Sequence, residues 1–392
     1  MIQRDSTFYD VIAYGLNGTS FQEFVDRFDK LKYNVLNTDG FNWDPEIQID
    51  FTYEQLQAQL GIATLPTYVD IYSRGPLKSQ KGLTIGTNKI PRFKHGFAID
   101  EKIIREKMIM YQRFGQAALN PQTKEALMEL LFDNVEKLLQ GNRNALTYQR
   151  MQVVSTGQYS ITTDNNPQGI SGLTFDFGIP AANKQTLTGN ARWWTNASHT
   201  TAVEGSASDP IKFLQEKYKE ATVKCPAGHF EISKQLWDDF LVHSMVRQRV
   251  GYNLSPLVTS DTVAQQVAYN LDDDKMKNSI ERLVGCRIVV RDTMAVVEKF
   301  NKTTKEIEEV SLPGFNIKNV TFVPNGKLGT IKAVEPIAVP DPGARIAFYD
   351  GGRTILKQMF NTKTNTQEIE SECTALVVPS TAHYIRVYTV TV

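Results

Sequence analysis

The longest regular pattern in the chain begins with Asn120-Pro-Gln-Thr-Lys-Glu-Ala-Leu-Met-Glu-Leu-Leu-Phe-Asp-Asn-Val-Glu-Lys-Leu-Leu-Gln140 and continues to residue 157. Asn120 is a favourable residue to precede a helix, and the proline after it suits the first helical position. Leucines then recur at helical spacing, so we predict a helix over 121–157, in which Gly141-Asn142 is the candidate position for a kink. At about 1.5 Å per residue this helix is roughly 55 Å long. A helix of that length usually spans a whole wall or bundle, so it decides the architecture around it.

Charge falls in blocks along the N-terminal third of the chain. Residues 1–69 hold ten acidic and four basic residues, a net charge of −6, and we predict an extended arm there with short helices near 20–31 and 52–60. Residues 70–119 hold four acidic and ten basic residues, a net charge of +6. Around the start of this basic block, Thr67-Tyr-Val-Asp-Ile-Tyr72 alternates as a strand, and we predict a two-stranded loop over 67–98. A lone ribbon of this kind is marginally stable in water, so we expect it to lie on a partner surface.

The rest of the chain is predicted to mix helices and strands. Helices are predicted at 209–221, 233–250 and 262–283. Strands are predicted at 173–179, 229–232, 285–290, 294–300, 306–311, 319–323, 328–335, 374–378 and 384–392. Because the chain ends within a strand pattern, we expect the last strand to belong to a sheet.

The overall composition excludes several classes of protein. Lys and Arg together number 43, as do Asp and Glu, so the chain lacks the basic excess that a nucleic-acid coat uses. Its 22% charged and 41% hydrophobic residues are typical of a folded protein. No apolar run approaches the roughly 20 residues of a membrane span, and residues 1–15 lack the apolar core of a secretion signal. We expect the three scattered cysteines to be reduced, partly buried thiols of a cytoplasmic protein.

No catalytic or metal-binding pattern emerges from the sequence. There is no phosphate-binding loop, dinucleotide fingerprint or nucleophile elbow. Cys225 and His229 are four residues apart, but the proline and glycine between them argue against a helical face, so we do not expect a metal there. The pair Trp193-Trp194 could form a ligand platform, but we favour burial against the 209–221 helix. We therefore expect no cofactor and no enzymatic activity.

Several stretches, taken in order, carry a resemblance to a known family. They are Leu65-Pro-Thr-Tyr-Val-Asp-Ile-Tyr-Ser-Arg-Gly75 with Phe97–Asp100, Asn120–Ser160, Leu173–Gly178, Asp209–Leu214, His229–Phe240 and Val377–Val392. Their order resembles the major capsid proteins of tailed bacteriophages, which have the Hong Kong 97-like fold, and looks closest to the branch of the lambda major head protein. The resemblance covers roughly residues 60–392.

This resemblance implies an α+β fold and a structural role. It implies an N-terminal arm at 1–60, an extended two-stranded loop at 61–100, a peripheral domain with a spine helix at 101–170, an axial domain at 171–355 and closing strands at 356–392. Such a protein self-assembles into hexamers and pentamers of an icosahedral head that encloses double-stranded DNA. The implied partners are other copies of the chain, a portal protein, and decoration and scaffolding proteins, with only weak non-specific DNA contact and no membrane. The implied location is the virion capsid, after assembly in the bacterial host cytoplasm.

The charge blocks suggest where one subunit contacts the next. We expect the basic loop to lie on the acidic first half of a neighbour's spine helix, on its arm, or on both. The candidate contact residues are Arg74, Lys78, Lys81, Lys89, Arg92, Lys94, Glu125, Glu129, Asp133 and Glu136. Each exposed pair contributes only about 0–1 kcal/mol, but a shell repeats it over many interfaces. Reversing Lys78, Lys81 and Arg92 to Glu is therefore expected to abolish particles and to leave a folded subunit.

Two other functions are consistent with the sequence. One is an encapsulin-type shell of a cellular nanocompartment, which has the same fold and holds a cargo enzyme. The other is a soluble α+β enzyme whose site is assembled from dispersed residues such as His229, Asp239 and His243. A shell protein should sediment as large particles, whereas an enzyme should be active as a small oligomer.

Overall fold

A computed structural model describes most of the chain as a mixture of helices and strands. The described residues are 40–58, 83–99, 102, 105–106, 109, 121–225, 227–255, 258–301, 303–337, 344–361 and 366–392. Helices and antiparallel sheets both contribute to them, so the α+β class expected from the sequence is confirmed.

The elements have the following bounds. The helices are α1 (Pro121–Thr156), α2 (Pro210–Thr222), α3 (Lys234–Val242), α4 (Ser244–Leu254), α5 (Asp261–Tyr269) and α6 (Asp273–Val284). The strands before α2 are β1 (Phe41–Trp43), β2 (Thr52–Ala58), β3 (Leu83–Lys89), β4 (Arg92–Ile99), β5 (Gln158–Ile161), β6 (Leu173–Asp176) and β7 (Lys184–Thr186). The later strands are β8 (Gly228–Ser233), β9 (Ile288–Arg291), β10 (Met294–Phe300), β11 (Ile307–Pro313), β12 (Asn319–Pro324), β13 (Gly329–Ala333), β14 (Ala344–Tyr349), β15 (Thr354–Asn361), β16 (Thr366–Pro379) and β17 (Arg386–Thr389).

The chain divides into two compact units, and each unit is made of three segments. The first unit comprises 1–53, 88–146 and 330–377, and the second comprises 54–87, 147–329 and 378–392. One boundary falls inside α1 and another inside β16. The division into arm, loop, peripheral domain, axial domain and closing strands stays a prediction.

The first unit contains a six-stranded sheet. Its strands follow the order β1-β13-β16-β15-β14, and β4 also pairs with β16. β16 pairs antiparallel with β15 along one part of its length and with β4 along nearly the same part. Every residue of β16 from 371 to 379 is buried, so this strand is the core strand of the sheet.

The second unit contains a five-stranded sheet in the order β7-β17-β12-β8-β9. β12 is antiparallel to both of its neighbours, whereas the outer pairs β8–β9 and β7–β17 are parallel. Aromatic side chains fill the core beside this sheet: the rings of Phe230 and Phe322 are 5.8 Å apart, and those of Trp193 and Phe240 are 5.1 Å apart. The last strand, β17, belongs to the sheet, as the sequence predicts.

The long helix predicted over 121–157 is confirmed as α1. The helix is unbroken through Gly141, and a kink there stays a prediction. Gly141 serves a different purpose, because a Cβ at this position would collide with the imidazole of His95 on β4. The helix ends before Gly157, whose φ of +79° lies in the left-handed region that favours glycine.

Two predicted helices are each divided in two. In place of one helix over 233–250, α3 and α4 meet at His243, which is extended (φ −61°, ψ 129°) and whose Nδ1 accepts a hydrogen bond from the Met245 N–H. In place of one helix over 262–283, α5 ends at Tyr269 and an extended Asp272 (φ −68°, ψ 151°) precedes α6. Apolar spacing continues across both turns, which is why periodicity alone does not reveal them.

Two predictions for the N-terminal third of the chain differ from the structure, and two fall outside the described residues. The helix predicted near 52–60 is wrong, because this segment is β2 and pairs with β3 in a two-stranded sheet. A distant strand supplies its backbone partners, which the local sequence cannot show. The ribbon also differs from the one predicted over 67–98, since β4 joins the six-stranded sheet instead. The predicted strand at 67–72 and the helix near 20–31 lie outside the described residues.

Candidate functional site

Two of the basic contact candidates lie on β4 and pair with acidic residues of β16. The Arg92 guanidinium is 2.5 Å from the Glu372 carboxylate, and the Lys94 ammonium is 2.5 Å from the Glu370 carboxylate. The Arg92 and Lys94 side chains are 51% and 45% exposed, so both cations still face solvent. The structure thus gives these two candidates an acidic partner within their own chain.

The other contact candidates are placed only in part. Lys89 ends β3 and is exposed, whereas Arg74, Lys78 and Lys81 lie outside the described residues. The four acidic candidates lie in the first half of α1, where the backbone is helical and the side chains are not described. Spacings of three and four residues place Glu125, Glu129, Asp133 and Glu136 along one face of that helix. Their role in contacts between subunits stays a prediction.

A histidine fastens α1 to β4 within the first unit. His95 Nε2 donates to the Leu138 carbonyl at 2.9 Å, and Gly141 leaves room for the ring. Burial lowers the pKa of His95, and its hydrogen bonds with Leu138 and Asn142 oppose this effect without cancelling it. The neutral imidazole with its proton on Nε2 therefore suits the site, and protonation of His95 opposes folding.

The next turn of α1 makes polar contacts to two further strands. The Asn142 amide donates to the Ser371 hydroxyl of β16 at 2.5 Å. The Arg143 guanidinium donates to the Tyr349 hydroxyl of β14, lies 5.1 Å from the centre of that ring, and is 3.6 Å from the Asp350 carboxylate. These contacts fix the rotation of the helix over the sheet of the first unit.

A cluster of buried charges lies in the second unit. The carboxylate of Glu231, on β8, is fully buried and accepts two hydrogen bonds from the Arg150 guanidinium of α1, at 2.6 and 2.5 Å. Arg291 of β9 donates to the same carboxylate at 2.6 Å, and His229 Nε2 lies 3.4 Å from it. Burial by itself would raise the pKa of Glu231, but the Arg150 charge and the hydrogen bonds from His229, Arg150 and Arg291 hold it well below its usual range. The carboxylate is therefore ionised in the folded protein.

This buried cluster specifies how the end of α1 joins the five-stranded sheet. Arg150 is 1% exposed, its partner Glu231 stands on β8, and Arg291, the second cation on that carboxylate, stands on the parallel neighbour β9. A buried ion pair adds little net stability relative to a well-packed apolar core. Removing one partner, however, leaves an uncompensated buried charge and costs about 3–5 kcal/mol. The role of the cluster is structural, because its buried charged groups form their hydrogen bonds with one another.

The residues suggested for an enzyme site do not come together. His229 contacts Glu231 and so belongs to the buried ion cluster. His243 is 1% exposed and caps α4. Asp239 pairs with neither histidine but with His199, at 2.7 Å.

Sequence reasoning missed His199, whose ring joins two distant segments. Its Nδ1 is 2.7 Å from the Asp239 carboxylate, and its Nε2 is 2.8 Å from the Thr391 hydroxyl. A line of acid, imidazole and hydroxyl is the arrangement that activates a nucleophile. Thr391 is only 2% exposed, so a substrate cannot reach its hydroxyl, and the line instead anchors the C-terminal segment. The partners lie 40 and 192 positions from His199, so no local motif could have revealed them.

The remaining expectations concern ligands and thiols. Trp193 and Trp194 are 1% and 0% exposed, and the Trp193 ring meets the edge of Phe213 on α2, so their predicted burial is confirmed. All three cysteines are free thiols, as predicted. Within the described ranges, no group of three or more His, Cys, Asp or Glu residues is arranged to hold a metal ion. No helix in the same part of the chain is long and apolar enough to cross a membrane.

Comparison with known families decides what kind of protein this is. The family model described as "Phage major capsid protein E" matches residues 32–386, a range that includes segments of both compact units and all six helices. The chain belongs to this family. It is a structural component of a phage capsid, and copies of the same chain are its partners in the shell. Membership in a phage capsid family favours a phage shell over the encapsulin-type compartment that shares its fold.

Solved structures similar to this capsid protein include chains from phages and prophages. The putative capsid protein of a prophage from E. coli CFT073 is 13% identical, with 79% of each chain covered and a TM-score of 0.44. A phage-related protein from Bordetella bronchiseptica RB50 is 12% identical, with 93% of this chain and 95% of that chain covered and a TM-score of 0.44. A chain of the satellite phage P4 procapsid is 9% identical, with 94% and 99% covered and a TM-score of 0.40. No curated protein matches the chain. TM-scores below 0.5 add no argument to the family match.

Proposed function

We propose that this capsid protein assembles into hexamers and pentamers that close into an icosahedral head around double-stranded DNA. The β2–β3 ribbon is the structural observation that carries this proposal. Two strands alone are marginally stable in water, and within the described residues no third strand extends the ribbon. A neighbouring subunit supplies the surface on which the ribbon and the basic segment between its strands lie.

The proposal assigns a role to each predicted region. The arm at 1–60 and the extended loop at 61–100 reach neighbouring subunits, and the peripheral domain at 101–170 receives them on the acidic face of α1. The axial domain at 171–355 meets its counterparts at the centre of each hexamer or pentamer, and the strands at 356–392 close the subunit. The opposite charges of residues 1–69 and 70–119 support contacts of this kind between copies.

The proposed partners follow from the same role. They are a portal protein, decoration and scaffolding proteins, and packaged DNA held only by weak non-specific contact, which suits a chain of zero net charge. We place assembly in the bacterial host cytoplasm and the mature protein in the virion. We propose no enzymatic activity, and the burial of Thr391 supports this.

Electron microscopy and sedimentation of the purified protein test the assembly. We expect closed particles built from five-fold and six-fold rings. A protein that remains a small oligomer under every assembly condition would contradict the proposal.

The contact surface is tested by reversing positive charge on the loop. The variant Lys78→Glu/Lys81→Glu/Lys89→Glu should lose particles and keep its circular dichroism spectrum. Arg92 is left unchanged, because its reversal would place a new carboxylate beside Glu372 within the subunit. A control with equal charge change reverses three exposed lysines elsewhere, Lys212, Lys318 and Lys327. Normal particle yield from the loop variant would refute the role of the loop.

A further inference from the structure

The hairpin formed by β10 and β11 extends from the second unit as a two-stranded sheet. The two strands pair in antiparallel register from Met294 opposite Pro313 to Phe300 opposite Ile307. Within the described residues no other strand joins them. A two-stranded hairpin is at best marginally stable in water without a surface to cover one of its faces.

The two faces of this hairpin differ in exposure. One face carries Ala295, Val297, Val310 and Leu312, all of which are half-buried. The other face carries large apolar side chains that are mostly exposed: Met294 (52%), Val296 (59%), Phe300 (54%) and Ile307 (62%). Four large apolar side chains exposed on one face of a hairpin are typical of an interaction surface.

The exposed face also carries a pair of like charges. Glu298 lies directly opposite Glu309 in the register, and both are exposed. Like charges directly opposite each other destabilise a strand pair. Among the ion pairs of the described residues, neither carboxylate has a cationic partner. The face therefore fits a partner that offers apolar side chains together with a basic group.

The surface formed by α4 and α5 offers that combination. Tyr252, Leu254 and Val263 are each 42% exposed, and Tyr269 is 70% exposed. The Arg247 guanidinium lies 5.1 Å from the centre of the Tyr269 ring, so a positive charge stands within this apolar surface. The hairpin face and the α4–α5 surface are both open in a single chain, which means that neither covers the other within one subunit.

We propose that the exposed β10–β11 face of one subunit docks on the α4–α5 surface of a second copy of this chain, with Glu298 and Glu309 facing Arg247. Because the two surfaces differ, the contact is head-to-tail, and such a contact generates a closed ring when the rotation between neighbours closes, as the proposed hexamers and pentamers require. The inference rests on the proposed assembly into hexamers and pentamers and names the surfaces that join neighbours within a ring.

A disulfide cross-link tests which surfaces meet. In assembled particles of the double variant Val296→Cys/Tyr269→Cys, oxidation should produce a ladder of covalent oligomers on a non-reducing gel. The single variants control for the native thiols, of which Cys225 and Cys373 are buried. A matched control pairs Val296→Cys with Val223→Cys, whose position is 68% exposed on the C-terminal side of α2. Particles of the double variant with no ladder beyond the controls would overturn the proposed pairing.

A charge-reversal variant gives an independent result if the cysteine variants fail to assemble. Glu298→Lys/Glu309→Lys should lower particle yield by about tenfold or more, because like charges across an interface cost several kcal/mol. Adding Arg247→Glu should restore part of that yield. Wild-type yield from the two-residue variant would overturn the inference, as would an absence of recovery in a variant that remains folded. Failure of the unmodified chain to form particles would instead refute the proposed assembly itself.

Discussion

The charges around Glu231 and those along β4 and β16 have different surroundings and different consequences. Glu231 is wholly buried and is held by Arg150 and Arg291, so every charge in the cluster depends on its partners. Arg92 and Lys94 are about half exposed and pair with a neighbouring strand at the surface. Water can solvate the Arg92 and Lys94 cations if their carboxylate partners are removed, but it cannot reach the buried Glu231.

This difference separates charges that hold the subunit together from charges that remain available to other molecules. Buried charges contribute specificity to the fold, and their removal is costly. Exposed charges contribute little to the stability of one chain, and in the proposed shell that small contribution is repeated at every interface. The following predictions test the separation, beginning with the largest effect on the unassembled subunit.

Replacing Glu231 with Gln should have the largest effect. The change leaves Arg150 and Arg291 buried without their counter-charge, so we expect the free energy of unfolding to fall by about 3–5 kcal/mol. Urea unfolding of the unassembled subunit measures this. Glu370→Gln, which removes the partner of an exposed lysine, is the control and should change stability by about 0–1 kcal/mol. Equal effects of the two variants would show that burial does not separate the two sets.

Replacing Gly141 with Ala should destabilise the subunit by about 1–3 kcal/mol, because the new Cβ collides with the imidazole of His95. Helix propensity alone predicts the opposite, a gain of about 1 kcal/mol for Ala over Gly. Thermal or urea unfolding decides between the two. In a His95→Ala background the same substitution should become stabilising. A loss of equal size in that background would mean that the collision is with some other group.

Stability should fall as the pH is lowered below the pKa of an unfolded histidine, about 6.5. Burial lowers the pKa of His95 in the folded state, so the unfolded chain binds a proton at a pH where the folded chain does not. The contribution of neutral His95 is therefore complete above that pH and declines below it.

Unfolding of the wild type and of His95→Gln at pH 7 and pH 5 measures this contribution. The wild type should lose more stability than the variant. The pKa values of His243 and His383 are also lowered by burial, but these residues are common to both proteins and cancel in the difference. Parallel pH profiles of the two proteins would show that His95 is not one of the groups responsible for the loss of stability at low pH.

Replacing Arg92 with Gln should have the smallest effect on the subunit, a loss of about 0–1 kcal/mol, because Arg92 is half exposed and Lys357 still lies 3.5 Å from the buried Glu372 carboxylate. The loss should shrink at high salt, because the Arg92 guanidinium is 51% exposed and is screened by ions, although Glu372 is only 6% exposed. Unfolding at low and at high ionic strength checks this. A loss of several kcal/mol that is independent of salt would place Arg92 with the buried set.

The elements that could be predicted from the sequence are those specified by the spacing of residues within a short stretch of chain. The leucine spacing of α1 and the alternation of β10 and β12 were sufficient to place these elements within a few residues. The strand β2 was missed because its pairing partner, β3, is supplied by a distant segment.

The contacts expected to contribute most to the stability of the subunit could not be predicted, because they also join residues that are far apart in the sequence. Glu231 stands in a strand that the sequence identified, but its burial depends on Arg150, 81 positions away. A single acidic residue between Phe230 and Ile232, both buried, was the available signal. The hairpin face was recognisable as strand, whereas its exposure follows only from the tertiary structure.

The most direct test of the separation is urea unfolding of two unassembled variants side by side. Glu231→Gln should lose about 3–5 kcal/mol. The triple reversal Lys78→Glu/Lys81→Glu/Lys89→Glu should stay within about 1 kcal/mol of the wild type, although it forms no particles. A triple variant that unfolds as readily as Glu231→Gln would contradict the account, because the loop charges would then be holding the subunit rather than joining it to its neighbours.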